Sequence, residues 1–247
     1  MAQVRVTTSW DDGDVLDLRL AESMDRYGVK GTFYIPGTAK LATSDLCALA
    51  SRHEVGAHTL SHSRVDLLPP AEAQREIEAG KAWLEDQVGA AVHAFCYPWG
   101  AWSEQAVALV RQAGFRYART VERFRFGLSD EPLLNGTTCQ TLIKKMDLFR
   151  FLGMKRGNPL ALRYLTDWGY LARQTFFEAR RRGGVFHLWG HSWEVDRFDQ
   201  WAQLDAFFRF LSQQEDVVFV TNGELLRAGA GVSQGPLRRR REPAEPP

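Results

Sequence analysis

Apolar and polar residues alternate at the start of the chain: Val4-Arg5-Val6-Thr7-Thr8-Ser9-Trp10 reads as a half-buried strand that stops at Asp11-Asp12-Gly13. The spacing then changes. Val15, Leu16, Leu18, Leu20, Ala21 and Met24 recur at helical intervals up to Gly28. A second strand is expected over Gly31-Thr32-Phe33-Tyr34-Ile35 and closes at Pro36-Gly37. Thr43 or Ser44 can cap a short helix carrying Leu46, Leu49 and Ala50, and Glu54 to His58 forms a third strand. Pro69-Pro70 opens a long amphipathic helix to about Val88, with Ile77, Leu84 and Val88 on one face.

The same alternation continues. Ala91 to Tyr97 reads as a fourth strand, followed by a helix capped by Ser103 and stopped at Gly114, and then a fifth strand from Phe115 to Thr120. Neither period is sustained from Val121 to about Arg163, where one or two strands and a long excursion are expected. A helix through Leu171, Phe176 and Ala179 stops at Gly183-Gly184, and Val185 to Trp189 forms a strand leading to Gly190-His191. A helix holding Leu204, Phe207, Phe208 and Leu211 and a strand over Val217 to Val220 complete the pattern. Strands alternating with helices through short connections imply parallel βα units. The expected fold is an α/β, distorted (β/α) barrel of seven or eight strands, as one domain over residues 1–228, with an active site at the C-terminal strand ends.

Composition narrows the class. A hydrophobic content of 45% and a charged content of 25% are those of a soluble globular chain of 247 residues. A net charge of +1 gives no electrostatic footprint for nucleic acid. The three cysteines, Cys47, Cys96 and Cys139, show no paired spacing and are expected to be reduced. No run approaches the ~20 apolar residues of a spanning helix, and no signal peptide is visible, so a cytoplasmic location is expected. Residues 229–247, with the Arg238 to Arg241 block, are expected to be a disordered tail.

The polar residues that interrupt this pattern are sorted. Asp11-Asp12, His58, Tyr97-Trp99 and His191 all fall at the ends of different expected strands, which a barrel gathers on one face. His58 and His62, at i and i+4, would share the face of a helical turn and could grip one ion with one of the aspartates. Two nitrogens and one carboxylate oxygen with open positions describe a catalytic, zinc-type site. Such an ion lowers the pKa of bound water toward ~7. One aspartate can then ligate while the other serves as base, with His191 as acid and His187, on the same strand face, as its rival. Trp10, Trp99, Trp189 and Trp193 neighbour the strand-end site, whereas Trp168 is expected in the core.

Asp-Asp-Gly after a first strand, His-x-x-x-His, a proline-containing loop and a late strand-end histidine together resemble the polysaccharide deacetylase family, the NodB-homology domain of carbohydrate esterase family four. The resemblance covers about Val4 to His191 and the helix-strand unit that follows. It implies Asp11 as general base, Asp12, His58 and His62 as ligands of a divalent metal, zinc above others, and His191 in Leu188-Trp189-Gly190-His191 as general acid. Tyr97 and Trp99 would face substrate, with the main-chain N–H at Trp99 helping to bind the oxyanion. The chain departs from the family in Phe95-Cys96-Tyr97-Pro98-Trp99-Gly100. Cys96 stands where the family has an arginine that orients the base, and Trp99 where it has tyrosine. Asp11 must therefore be oriented by another group. The implied reaction is removal of an N-acyl group from an amino sugar. Hydrolysis of a small non-sugar amide and a metal- or sugar-binding protein without turnover are the alternatives.

Overall fold

The computed structural model describes residues 3–142, 145–154, 162–163 and 167–227; the expected tail at 229–247 lies outside them. Eight strands and nine α-helices are assigned among these residues. The chain runs β1 (Val4–Asp11), α1 (Asp17–Arg26), β2 (Gly31–Ile35), α2 (Thr43–Ala50), β3 (Glu54–Ala57), α3 (Pro70–Val88) and β4 (Ala94–Cys96). A short 3₁₀ turn over Pro98–Gly100 leads to α4 (Glu104–Gln112), β5 (Tyr117–Arg119), β6 (Cys139–Gln140), α5 (Lys145–Met154) and α6 (Trp168–Arg182). The last units are β7 (Val185–Gly190), α7 (Ser192–Arg197), α8 (Trp201–Ser212), β8 (Val217–Phe219) and α9 (Asn222–Arg227).

All strand pairs are parallel, and the sheet order is β5-β4-β3-β2-β1-β7-β6. Among the described residues β5 and β6 share no ladder, so the curled sheet is an open, distorted barrel. β7 lines one edge of β1 from Arg5 to Trp10. The other edge is shared: β8 pairs with Val4 to Val6, and β2 pairs with Thr8 to Asp11.

β1 departs from the sequence expectation. It is buried along nearly its whole length rather than half-buried. Its even positions face the helices, as where Trp10 meets Phe208 of α8 edge-on at 6.5 Å. Its odd positions point into the barrel, where polar side chains are matched with one another. Thr7 donates to Asn222 at the start of α9, and Ser9 lies 2.8 Å from His187 of β7. A parallel sheet covered on both faces buries polar and apolar positions alike, provided the polar ones are hydrogen-bonded.

The helices pack as their spacing requires: Leu204, Phe207, Phe208 and Leu211 of α8 are fully buried. Ser103 caps α4 by accepting from the Ala106 N–H, and Gly183 ends α6 at φ 63°. The cap of α2 is Ala42 rather than Thr43 or Ser44, because Asp45 reaches back to accept from the Ala42 N–H. The blurred stretch after Val121 contains β6 and also α5, which no sustained period announced. α7 and α9 were also unannounced, since six residues are too few to display a period. No described helix is long and apolar enough to cross a membrane. The three cysteines are free.

Candidate active site

Strand ends and the turns after them build the site. Asp11 is the last residue of β1, and Asp12 follows at φ 81°, a left-handed backbone that non-glycine residues rarely adopt. The turn sends the two carboxylates into different surroundings. Asp11 is 3% exposed. It is paired with Arg119, the last residue of β5, whose Nη2 donates to both carboxylate oxygens. Burial alone would raise the Asp11 carboxyl, but the charge and hydrogen bonds of Arg119, with the nearby His191, outweigh it and hold the group below the usual carboxylate range.

His58 follows β3, and the turn from it to His62 is not helical, contrary to the sequence expectation. Thr59 at φ 65° and His62 at φ 59° fold the segment tightly enough to bring the rings within 4.7 Å. α3 holds this turn in place. Glu76 accepts from the Ser61 N–H and hydroxyl, each at 2.8 Å. Gly80 lets the turn approach, since a Cβ there would lie 2.5 Å from the Thr59 carbonyl carbon.

The His58 Nδ1 proton is directed to the Cys96 carbonyl at 2.8 Å, leaving its Nε2 lone pair facing outward. That nitrogen lies 3.1 Å from His62 Nε2. Asp12 Oδ1 is 3.3 Å from His62 Nε2 and 3.8 Å from His58 Nε2. It is buried and has no hydrogen-bond partner. Burial pushes His58 down to about 4, so its ring is neutral and can ligate. Two imidazole nitrogens and an orphaned carboxylate oxygen, all within 4.8 Å of one another, fit a divalent cation. A second grouping, Asp11 with His58 and Cys96, fits poorly. Its carboxylate is taken by Arg119, and burial pushes the Cys96 thiol well up, against a thiolate.

The fourth wall is a single helical turn. His191 is the N-cap of α7, with Nε2 3.7 Å from Asp12 Oδ2 and Nδ1 2.7 Å from Glu194. Burial opposes charging this ring, yet the bond and charge of Glu194 prevail and raise it to about 9. Trp193 donates its indole N–H to Asp12 Oδ2 at 3.0 Å, fixing which carboxylate oxygen stays free. Ser192 donates to the buried Asp17 of α1 at 2.6 Å, which anchors the turn.

Asp11, Asp12, His58, His62 and His191 thus come together at one end of the barrel. His187 does not join them. It lies deeper in the interior beside Ser9, and burial pushes it well down. The expectation that the Tyr97 side chain faces substrate is corrected, because its ring is fully buried against Phe95 at 5.1 Å. Trp99 is 60% exposed at φ 61°, with its ring 5.8 Å from that of His62. Trp10 belongs to the core, as does Trp168 against Phe207 at 6.0 Å. A cleft of about 360 Å³ opens beside Asp12, lined by Gly13, Asp14, Thr38, Lys40 and Trp193.

Sequence reasoning missed Arg119 and Glu194, and the bond that Trp193 makes. Each left a signal. Arg119 closes an otherwise apolar strand, and Glu194 stands three residues after His191, within reach across one helical turn.

Residues 2–118 match the family model described as polysaccharide deacetylase. Three solved structures share the fold. A Mycobacterium smegmatis protein assigned as a polysaccharide deacetylase superposes with a TM-score of 0.70 at 16% identity, covering 96% of each chain. A family 4 acetyl xylan esterase from Clostridium thermocellum, solved with a cobalt ion, gives 0.59 at 18% identity over 91% of each chain. A variant of the peptidoglycan deacetylase PdaC from Bacillus subtilis gives 0.57 at 15% identity, again over 91% of each chain.

Proposed function

We propose, from the match of residues 2–118 to the polysaccharide deacetylase family model, that the chain is a metal-dependent deacetylase that hydrolyses the N-acyl group of an amino sugar. The observation that carries this reading is the Asp12 oxygen without a hydrogen-bond partner, facing two imidazole nitrogens one residue away from a carboxylate held ionised.

Asp12, His58 and His62 would hold the cation, zinc in our reading, which supplies Lewis acidity and lowers the pKa of water toward ~7. Asp11 accepts the proton of the attacking water; its carboxylate is ionised at neutral pH because Arg119 faces it. His191 carries the opposite charge. With its ring raised to about 9, it stands protonated at neutral pH and donates from Nε2 to the departing amine, while Glu194 steadies the imidazolium through Nδ1. The Trp99 main-chain N–H is the oxyanion donor in this scheme, a contribution of ~10²–10³ in rate. The indole of Trp193, which lines the cleft, and the exposed ring of Trp99 offer aromatic surface on which a sugar ring can lie.

Acetate release from an N-acetylated chitooligosaccharide tests the reading directly. Chelation should abolish it and zinc or cobalt should restore it. Alanine at Asp12, His58 or His62 should remove the metal. Asp11→Asn should keep the metal and lose about 10²-fold or more in kcat. A purified protein that binds no divalent metal and releases no acetate would sink the proposal.

A further inference from the structure

Arg119 is the only lysine or arginine that is buried among the described residues, and its side chain has no exposed surface. Burying a guanidinium is costly unless its charge and its N–H groups are answered. Little answers this one except Asp11. Nη1 makes only a long contact of 3.4 Å to the Thr120 carbonyl, and Nε has no partner. The Tyr34 and Trp189 rings flank the guanidinium, with centroids 5.2 and 4.9 Å from its Cζ. The cation is therefore clamped between two aromatic rings and aimed at a single carboxylate. One nitrogen, Nη2, spans both oxygens, so the carboxylate is held end-on to the guanidinium.

The neighbouring strand explains how the arginine fits. Arg119 of β5 is paired in register with Cys96 of β4. Side chains at paired positions point to the same face of a sheet, here the barrel interior, about 4.8 Å apart. Cys96 Sγ lies 3.7 Å from Asp11 Oδ2, so position 96 reaches the same carboxylate as position 119. Both positions address one carboxylate, and the longer side chain comes from 119 while 96 carries a small thiol.

We propose that Arg119 is the positioning residue for the Asp11 carboxylate, and that positions 96 and 119 form an exchangeable pair in which either strand can supply the guanidinium. The catalytic consequence rests on the deacetylase reading; the exchange itself does not.

Three proteins test it: wild type, Arg119→Ala, and Arg119→Ala combined with Cys96→Arg. Each is measured for bound zinc, for melting temperature, and for kcat and KM of acetate release from a chitooligosaccharide. Arg119→Ala should lower kcat about 10²-fold, with KM and zinc stoichiometry held within about twofold. It should also lower Tm by about 10 °C, because it leaves a buried carboxylate unpaired. The double variant should recover most of both losses. Unchanged kcat in Arg119→Ala overturns the proposal. So does a double variant that regains Tm while kcat stays low, since that outcome makes the pair purely structural. If Arg119→Ala does not fold, Arg119→Lys replaces it as a charge without the fork, and the same recoveries are read. If the wild type releases no acetate, the deacetylase reading fails instead. Tm then decides the exchange alone: recovery supports it and no recovery overturns it.

Discussion

Asp11 and Asp12 are adjacent carboxylates with opposite surroundings, and the difference originates in one backbone angle. At φ 81° the chain turns after Asp11, leaving the first carboxylate inside the barrel with Arg119 and turning the second toward the imidazoles. His191 shows the same dependence on its neighbours: burial would make it a poor cation, and Glu194 makes it a good one. Glu194→Gln keeps the shape and removes the charge. In metal-free protein it should bring the His191 pKa down from about 9 toward its ordinary value of 6.5, as read by NMR titration of the ring. The sign for stability follows. A histidine raised in the fold contributes stability below pH 6.5 that is lost as pH rises through 9, and the variant should lack that contribution. An unmoved His191 titration would show that Glu194 does not set its charge.

At the scale of elements, short strands bring residues to one end and left-handed turns aim them. Of the six non-glycine residues at positive φ among the described residues, four lie in the site: Asp12, Thr59, His62 and Trp99. Such conformations are strained and persist only where the surroundings over-determine them. Gly100, at φ 68° beside Trp99, is the tightest of these turns, since a Cβ there would lie 2.2 Å from Val121 Cγ2. Gly183 at φ 63° has nothing within 4 Å and serves as the control. Gly183→Ala should cost only its left-handed strain of about 1–2 kcal/mol, a Tm loss of about 2–8 °C. Gly100→Ala adds a clash with the β5–β6 connection and should lower Tm further while also reducing turnover, because it displaces the Trp99 main chain. Equal Tm losses in a thermal melt would contradict the packing argument.

For the whole molecule, the interior of the barrel is a polar column. Thr7, Ser9 and Asp11 of β1 meet Asn222, His187 and Arg119, and the column ends at the site. Buried imidazoles carry a stability cost in acid. His53, beside Phe33 and 3.3 Å from Asp25, is pushed down by burial to about 4. In the fold it stays neutral while the unfolded chain takes up a proton. Its contribution is therefore present above pH 6.5 and lost as pH falls through 4. His58 and His187 are lowered in the same direction. Metal-free protein should lose stability steeply between these limits, and His53→Asn should flatten the slope of Tm against pH. Parallel slopes would exclude His53 as a contributor.

The alternation of strands and helices, the parallel sheet and the gathering of Asp11, Asp12, His58 and His191 at one end were all legible in the chain. Periodicity reports which side of an element is buried, and parallel βα units carry their strand ends to a common face. α5, α7 and α9 were not legible: two are shorter than a period needs, and α5 lies in a stretch of mixed pattern. Partnership was hidden for a different reason. That Arg119 serves Asp11 depends on the register between β4 and β5, and the facing of His58 and His62 depends on two left-handed residues between them. Sequence by itself determined which residue types reach the mouth of the barrel. Tertiary structure alone decided which of them face each other, because contacts between residues 108 positions apart, as Asp11 and Arg119 are, are fixed by strand register and chain curvature rather than by local pattern.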